Sequence, residues 1–277
     1  MRDRLPSPGA VAAAVLLGAA LVVTLFPFVY MVSLSLSSDV EVQRFPPPLI
    51  PAQARWSNFA RVWQAVPLPR YLLNSLVVAT AIACSTTLLG SMAGYAFAKL
   101  RFPFRDSLFW VVVGVSMMIP FFVRMIPLYI MESKLGWLNT YHGYIVPWLM
   151  NGYSVFLSRQ AIKPIPGDFI DAARIDGASE TLIYRRVILP LARPALVTVF
   201  LFTFVFQWNE VFWPLIVTDS IDMRTLPLGL LLFRKEYDFE WNLIAAGAFI
   251  LFLPILALFL CSQRFFLKGM MHSGLKG

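Results

Sequence analysis

The densest cluster of ionisable side chains in this apolar chain lies within residues 168–190. This stretch reads DFIDAARIDGASETLIYRRVILP and holds four acidic and three arginine side chains, with small residues between the charges. Charged groups beside exposed small residues can form ion pairs and close backbone contacts with another protein. The stretch therefore indicates a docking element; the alternative is an interfacial helix with capping acids and lipid-facing arginines.

Side chains suited to catalysis or metal binding are sparse. Cys84 and Cys261 lie in apolar runs without metal-ligand spacing, and we expect them to be small core side chains. His142 and His272 are far apart in sequence. The chain has no Gly-x-x-x-x-Gly-Lys phosphate-binding loop, so it cannot itself hydrolyse ATP. The sequence predicts no enzyme activity and no metal or cofactor site in this chain.

The docking stretch is preceded by residues that end a helix and start a new one. Pro164, Pro166 and Gly167 turn the chain after the preceding helix. Asp168 stands where a helix N-cap is expected, and a short helix should follow over residues 169–175.

A glycine should join this helix to a second one. Gly177 is placed to form a left-handed C-terminal cap. The second helix can begin at Asp176 or Ser179, and we expect Pro190 and Pro194 to break it before the next apolar segment.

The first of these helices would present small residues on one face. Phe169, Ala172 and Ala173 lie within about 100° of one another at helical spacing, whereas Asp171 and Arg174 point elsewhere. Such a face lets another surface approach the helix backbone closely.

The composition is that of a membrane protein. Hydrophobic residues make up 58% of the 277 residues and charged residues 14%, and the mean hydropathy is +0.70. Soluble domains are about 45–50% apolar and about 25% charged. The net charge of +8 would suggest nucleic-acid binding in a soluble protein, so its distribution matters.

Six apolar segments predict an all-α membrane protein with six transmembrane helices in a single domain, residues 1–277. Arg2 and Arg4 precede the first segment, which is too long for a secretion signal and should be a retained helix. Pro147 and Asn151 interrupt the fourth segment, which is tolerated where protein or water satisfies the backbone. The segments cover residues 10–36, 72–98, 107–130, 141–157, 195–217 and 242–261.

The basic residues set the predicted orientation. With the N-terminus inside, the cytoplasmic segments hold 14 of the 23 basic residues and 6 acids, and the remainder of the chain is neutral. The positive charge is therefore topological, and nucleic-acid binding loses its support. The cytoplasmic segments are 2–9, 99–106, 159–193 and 264–277. The outer loops are 37–71, 131–140 and 218–241.

Three polar side chains near the outer ends of the predicted spans are candidates for a translocation pathway. Arg124 and the pair Asn209 and Glu210 are costly in a membrane unless they face a cavity or a partner. Snorkelling of the ionisable groups to the interface is the alternative. The nearby tryptophans favour packing or an interfacial belt, with stacking on a sugar as the alternative. These are Trp148, Trp208 and Trp213.

The docking stretch closely resembles the cytoplasmic motif of importer-type ATP-binding-cassette (ABC) permeases. That motif reads Glu-Ala-Ala, three residues, Gly, nine residues, then Ile-x-Leu-Pro. Here it is 171–173, Gly177 and 187–190, with Asp for Glu and Val for Ile. Other stretches are similar to the carbohydrate branch, particularly the smaller maltose-type permease subunit. They are MIPLYIMESKLGWLNTY (125–141), FQWNEVFWPLIV (206–217), RTLPLGL (224–230) and QRFFLKGMMHSGLKG (263–277).

The resemblance implies a type I ABC importer permease fold, whose coupling helix lies in the loop 159–193 and docks in a cleft of an ATPase subunit. The acid would pair with a basic ATPase residue, the alanines would pack in the cleft and the glycine would make the turn. The residues expected at this contact are Asp171, Ala172, Ala173, Gly177, Leu189 and Pro190.

The resemblance also implies two further contacts. The C-terminal tail resembles one that reaches the ATPase dimer, with a frayed terminus as the alternative; it comprises Gly274, Leu275, Lys276 and Gly277. The outer loop 218–241 would contact an extracytoplasmic substrate-binding protein, with a solvated connector as the alternative.

The implied function is that of one permease subunit of an ATP-driven sugar or oligosaccharide importer. Its partners would be a related second permease in a heterodimer, two ABC ATPase subunits that bind ATP and Mg²⁺, a substrate-binding protein and membrane lipid. It would lie in a bacterial or archaeal plasma (inner) membrane with both termini cytoplasmic. The alternatives are the same machine importing glycerol phosphate or another polar solute, and an ATPase-independent carrier or channel.

Overall fold

Helices are the only regular secondary structure in the described part of the chain. The computed structural model describes residues 8–236 and 240–273, which form fourteen α-helices and no strand. The predicted all-α fold is confirmed. In chain order the helices are α1 (Pro8–Leu36), α2 (Asp39–Val42), α3 (Ser57–Ala65), α4 (Leu68–Lys99), α5 (Arg105–Met118), α6 (Phe121–Leu135), α7 (Tyr141–Ile145), α8 (Gly152–Ile162), α9 (Gly167–Ile175), α10 (Glu180–Ile183), α11 (Leu189–Trp208), α12 (Phe212–Val217), α13 (Leu226–Glu236) and α14 (Trp241–Ser273).

Four helices in the described residues are long and apolar enough to cross a membrane. They are Gly9–Leu36, Leu68–Lys99, Glu180–Trp208 and Trp241–Gln263. A fifth crossing is available if α5 and α6 together form one bent span. These correspond to five of the six predicted segments.

The third predicted segment, 107–130, is not one straight helix. It is divided between α5 and α6, which meet at an angle of 92°. Pro120 has no N–H to continue the helix, and it forces Ile119 out of helical geometry, so that Ile119 has an extended ψ of 113°.

The fourth and fifth predicted segments are also interrupted. Residues 141–157 form α7, a 3₁₀ turn at Val146–Trp148 and the start of α8. The Asn151 side chain caps α8 by accepting a hydrogen bond from the Ser154 N–H at 2.8 Å. Residues 195–217 are divided between α11 and α12.

The expected break at Pro190 and Pro194 is wrong. The helix is continuous from Glu180 to Trp208 because one turn, Tyr184–Ile188, is a π-helix. In this turn the Leu189 N–H bonds to the Tyr184 carbonyl. The wider turn places Pro190 at the start of α11, where a missing N–H is tolerated.

The described residues group into two compact units. The first contains the residues up to Leu68 together with Leu230–Leu253. In it, the buried Asn58 side chain donates to the carbonyls of Ser35 and Ser37 at 2.9 and 2.8 Å, which fixes α3 against the end of α1. Phe28 of α1 and Phe252 of α14 pack with ring centroids 4.9 Å apart.

The second unit contains Pro69–Gly229 and the residues from Pro254 onward. Its helices α4 and α8 approach closely at Gly90 and Gly94. A Cβ atom on either glycine would lie within 3 Å of the side chains of Ser154 or Ser158. Small residues four apart thus bring two helix backbones together, as is common in membrane proteins.

Candidate functional site

The docking stretch forms one short helix, α9, as predicted, but this helix starts earlier than expected. The second helix starts at Glu180 and is not short, because it continues through the π-turn to Trp208. Helix α9 begins at Gly167 with Pro166 at the N-cap, and no side chain caps it. The prediction of Asp168 as N-cap is therefore wrong. Asp168 lies within the first turn, where its charge still favours the positive end of the helix dipole.

Helix α9 buries one side and exposes the other. Ile170 is 3% exposed and Ala173 packs partly against the same core. Phe169 and Ile175 are 55% and 86% exposed, and Ala172 lies on the exposed side as well. We call Phe169, Ala172 and Ile175 the apolar face. It includes two of the three residues predicted to share a face; the third, Ala173, turns toward the core.

Gly177 has the left-handed conformation that the sequence predicts, with φ of +79°. The Ala178 N–H bonds to the Ala173 carbonyl at 2.9 Å and the Gly177 N–H bonds to the Arg174 carbonyl at 3.0 Å. This pair of bonds is the Schellman motif, which closes a helix and turns the chain sharply. Ser179 then caps α10 by accepting from the Leu182 N–H at 3.4 Å.

Arg174 links α9 to the start of α10. Its guanidinium donates to Asp171 at 3.2 Å and across the glycine turn to Glu180 at 2.8 Å. The hydrogen bond with Glu180 raises the pKa of Arg174. Asp171 keeps 67% of its side chain exposed, so its carboxylate remains open to a second basic group.

The end of the motif lies against α4. Leu189 packs partly on the core, whereas Pro190 is exposed. Both line an open groove of about 620 Å³ together with Cys84, Ser91 and Arg193. Cys84 and Cys261 are exposed, so the expectation that they are core side chains is wrong.

The structure places the predicted pathway residues on elements joined by an aromatic cluster. Phe121 of α6 packs on Trp213 of α12 with ring centroids 6.0 Å apart, and Phe122 packs on Phe212 at 5.9 Å. Arg124 follows one turn later on α6 and is exposed. Within the described residues, no hydrogen bond or ion pair joins it to Asn209 or Glu210.

Asn209 and Glu210 bond locally at the break between α11 and α12. The Asn209 amide donates to the Val205 carbonyl at 2.7 Å. The Glu210 carboxylate accepts from the N–H groups of Phe212 and Trp213 at 2.8 and 3.2 Å. Both side chains therefore hydrogen-bond to backbone groups at the ends of α11 and α12 that would otherwise lack a partner. This gives them a structural role whether or not they also face a solute.

An aromatic cavity lies beside this break and was not predicted. Its volume is about 360 Å³. Amide and hydroxyl groups stand among aromatic rings, a lining that suits a polyhydroxylated solute. The lining residues are Trp148, Asn151, Tyr153, Phe202, Thr203, Phe206 and Gln207. Of the three tryptophans considered from the sequence, Trp208 and Trp213 are fully buried and Trp148 alone lines this cavity.

The four tail residues 274–277 lie outside the described residues. Sequence reasoning also missed Glu180, which pairs with Arg174. It missed Tyr95 and Lys99 of α4 as well, which donate hydrogen bonds to Glu180 and to the carbonyls of Lys163 and Ile165. The opposite charges of Arg174 and Glu180 on either side of a glycine turn were the available signal for that pair.

Together these features define a multi-pass membrane protein with an exposed docking loop and an aromatic cavity. Residues 86–272 match the family model described as "Binding-protein-dependent transport system inner membrane component". This chain belongs to that family.

Curated relatives agree with this assignment. The chain is 32% identical over 265 residues to the "sn-glycerol-3-phosphate transport system permease protein UgpE" of Rhizobium meliloti (strain 1021), covering 91% of this chain and 93% of the relative. It is 31% identical over 258 residues to the protein of that name from Yersinia enterocolitica serotype O:8, covering 90% and 91%. These relatives are permeases, which confirms the prediction of a transport protein rather than an enzyme.

Solved structures share the fold. A chain of a bacterial ABC transporter involved in the import of the acidic polysaccharide alginate superposes with a TM-score of 0.81 at 23% identity, covering 95% of this chain and 100% of that one. A chain of the alginate transporter in complex with its pentasaccharide-bound periplasmic protein gives 0.63 at 14% identity, covering 92% and 93%. The type I importer permease fold is thereby confirmed.

Proposed function

We propose that this chain is the permease subunit of an ATP-driven importer for a sugar or oligosaccharide. The observation that carries this proposal is the docking loop: α9 presents an exposed apolar face, an exposed Asp171 and a left-handed Gly177 within a family of binding-protein-dependent transport components. A short rigid helix of this kind can transmit rigid-body movement of a bound partner to the spans behind it.

The proposed assembly supplies what this chain lacks. Two ABC ATPase subunits bind ATP and Mg²⁺, and one of them docks on α9, with Asp171 pairing to a basic ATPase residue. A related permease completes a heterodimer around the pathway, and a binding protein delivers solute to the outer loops. Both termini lie in the cytoplasm, where the tail residues 274–277 extend toward the ATPases. An ATPase-independent carrier would not need this loop.

The aromatic cavity supports a polyhydroxylated solute. Its rings can stack on the apolar faces of a sugar while Asn151, Thr203 and Gln207 bond to hydroxyl groups. Arg124, Asn209 and Glu210 remain candidates for the same pathway at its outer end.

Glycerol phosphate is the second candidate solute. The curated relatives at 31–32% identity are named for sn-glycerol 3-phosphate transport, and Arg124 would offset the charge of an anionic solute. Uptake measured with labelled glycerol 3-phosphate and with neutral sugars distinguishes the two candidates.

Docking on α9 is tested by co-purification of ABC ATPase subunits that are co-expressed with this chain. Asp171→Lys reverses the charge beside the apolar face, and Ala172→Arg fills it. Either change should reduce the ATPase recovered by at least about tenfold, since a misplaced interfacial charge costs more than about 1.4 kcal/mol.

The matched control is Asp219→Lys, which makes the same charge reversal at an exposed acid in the loop after α12. It should leave recovery unchanged. Full recovery with both Asp171→Lys and Ala172→Arg would show that the ATPases do not dock on α9.

A further inference from the structure

The last two turns of α4 hold the docking loop from both ends. Tyr95 and Lys99 are four residues apart and so share one side of the helix. The Tyr95 hydroxyl donates to the Glu180 carboxylate at 2.5 Å. The Lys99 ammonium donates to the carbonyls of Lys163 and Ile165, the first at 3.0 Å, just before α9 begins.

A continuous chain of polar contacts runs from α4 to the exposed side of α9. Glu180 accepts from Tyr95 with one carboxylate oxygen and from Arg174 with the other, at 2.8 Å. Arg174 then reaches Asp171 at 3.2 Å. Asp171 is the residue proposed to meet the ATPase, so the network links that contact to α4 without passing along the backbone.

Apolar packing supports the same connection. Tyr95 is 4% exposed and packs with Tyr184, their ring centroids 5.8 Å apart, in a core that also contains Ile170 of α9. The hydroxyls of Ser91 and Tyr184 share a hydrogen bond at 2.7 Å. The buried side of α9, the π-turn and the end of α4 therefore share one packed core.

The two kinds of contact in this network differ in weight. The ion pairs of Arg174 are exposed to solvent, and such pairs contribute little individually. The Tyr95 side chain is buried, and its hydroxyl bonds to a charged acceptor, which makes a stronger and more directional contact. Removal of the Tyr95 hydroxyl is therefore the change expected to weaken the contact between α4 and the docking loop most.

We propose that Tyr95 and Lys99 are positioning residues that couple α4 directly to the docking helix α9. Movement of α9 reaches α4 directly through these side chains, in addition to the covalent routes through α8 and through α10 to α11. The inference rests on the proposed function, since it assumes that a docked ATPase moves α9.

Two single-cysteine reporters separate this inference from the proposed function. The first is the native, exposed Cys84 on α4, labelled with an environment-sensitive fluorophore in a Cys261→Ser background. The second is Asp176→Cys at the end of α9, in a Cys84→Ser, Cys261→Ser background. Each is reconstituted in the complex with its ATPase subunits, and the spectral change on adding MgATP is recorded.

With the wild-type loop, both reporters should respond to MgATP. Tyr95→Phe removes only the hydroxyl, and Lys99→Met removes the ammonium but keeps an apolar chain. In the double variant the α9 response should persist, while the α4 response should fall at least about twofold, the smallest change usually found when residues of a coupling network are lost. ATPase recovery should be unchanged.

Tyr129→Phe is the matched control, because Tyr129 is exposed on α6 and makes no hydrogen bond in the described residues. An undiminished α4 response in the Tyr95→Phe, Lys99→Met variant would overturn the proposed direct coupling of α4 to α9. Absence of an α9 response in the wild-type complex would instead contradict ATPase coupling through α9. Loss of both responses in the variant would show that the two residues only support folding of the loop.

Discussion

At the scale of single residues, three carboxylates do different work because of what faces them. Asp171 pairs with Arg174 and stays exposed. Glu210 accepts from two backbone N–H groups and closes the start of α12. Glu41 accepts from the N–H groups of Ser38 and Ala52 and from the Ser38 hydroxyl, each at 2.8 Å. The sequence identifies the acids, but these roles depend on backbone geometry.

Glu41 gives a pH-dependent prediction. Hydrogen bonds, first from the Ser38 backbone, lower its pKa from 4.5 to about 2. The folded state therefore favours the ionised carboxylate, and the stabilisation is complete above about pH 4.5 and lost as the pH falls toward 2. Glu41→Gln should unfold at a lower temperature than wild type at pH 7, and the difference should shrink over that interval.

Thermal unfolding of the detergent-purified protein at several pH values measures this effect. Asp219→Asn is the control, because that carboxyl is exposed and makes no hydrogen bond in the described residues. A difference between wild type and Glu41→Gln that stays constant from pH 7 to pH 3 would contradict the assigned role.

Two neighbouring positions show what could be predicted at this scale. Gly177 was predicted to be left-handed because a glycine directly after a short amphipathic helix is the usual C-terminal cap. Asp168 was wrongly predicted as the N-cap. Pro166 already has the backbone conformation of a cap, with φ of −57° and ψ of 138°, and Gly167 starts the helix two residues earlier than predicted. Side-chain type alone does not distinguish these two starts.

At the scale of elements, α4 is central to the second unit. Gly90 and Gly94 bring it against α8, while Tyr95 and Lys99, which follow Gly94 in the same helix, contact the docking loop. Glycines four apart in an apolar helix are a known sign of close helix packing. The spacing of Gly90 and Gly94 could therefore have predicted a close contact of α4 with another helix.

Gly94→Ala should destabilise the protein. Its Cβ would lie 2.8 Å from the backbone nitrogen of Arg159 and 2.7 Å from the Ser158 Cβ, so helix α8 would have to shift. Overpacking of this kind costs about 1–3 kcal/mol. The measurement is thermal unfolding in detergent, with hydrogen exchange of α8 to locate the change.

Gly114→Ala in α5 is the matched control. A Cβ there meets nothing within 4 Å, and alanine is a better helix former than glycine by about 1 kcal/mol. This variant should be as stable as wild type or slightly more stable. Equal stability of the Gly94 and Gly114 variants would show that the close approach of α4 and α8 is unimportant.

Helix existence was predicted better than helix direction. Hydropathy located the long helices α1, α4, α11 and α14, because apolar length is what a membrane span requires. It could not reveal the 92° bend between α5 and α6, since a bent pair and a straight helix have the same mean hydropathy. Pro120 lies at the bend, but the sequence analysis made no prediction there. At Pro190 a break was predicted, and the π-turn preserved the helix.

At the scale of the whole molecule, charge sets the predicted orientation. The cytoplasmic segments carry the net charge of +8 and the remainder is neutral, so the loop 159–193 should face the cytoplasm. In a background without Cys84 and Cys261, Asp176→Cys should react with a membrane-impermeant maleimide only in inside-out vesicles. Gln53→Cys, in the first predicted outer loop, should react only in intact spheroplasts.

Labelling of both cysteines from the same side would contradict this topology. Detergent-solubilised protein is the control, because both positions are exposed and should then react fully.

The family was predicted mainly from seven motif positions in the loop 159–193, and the match to the family model confirmed it. The aromatic cavity could not be predicted, since its lining residues come from separate segments without a recognisable spacing.

The π-turn at Tyr184–Ile188 also fixes the rotational phase of α11. Each residue advances an α-helix by about 100°, so a wide turn that accommodates one extra residue offsets everything after it by about that angle. Deleting one residue from this turn would restore regular α-helical bonding, yet it would swing Phe202 and Phe206 away from the cavity they line. The turn beside the docking loop thus determines which side chains of α11 line the aromatic cavity.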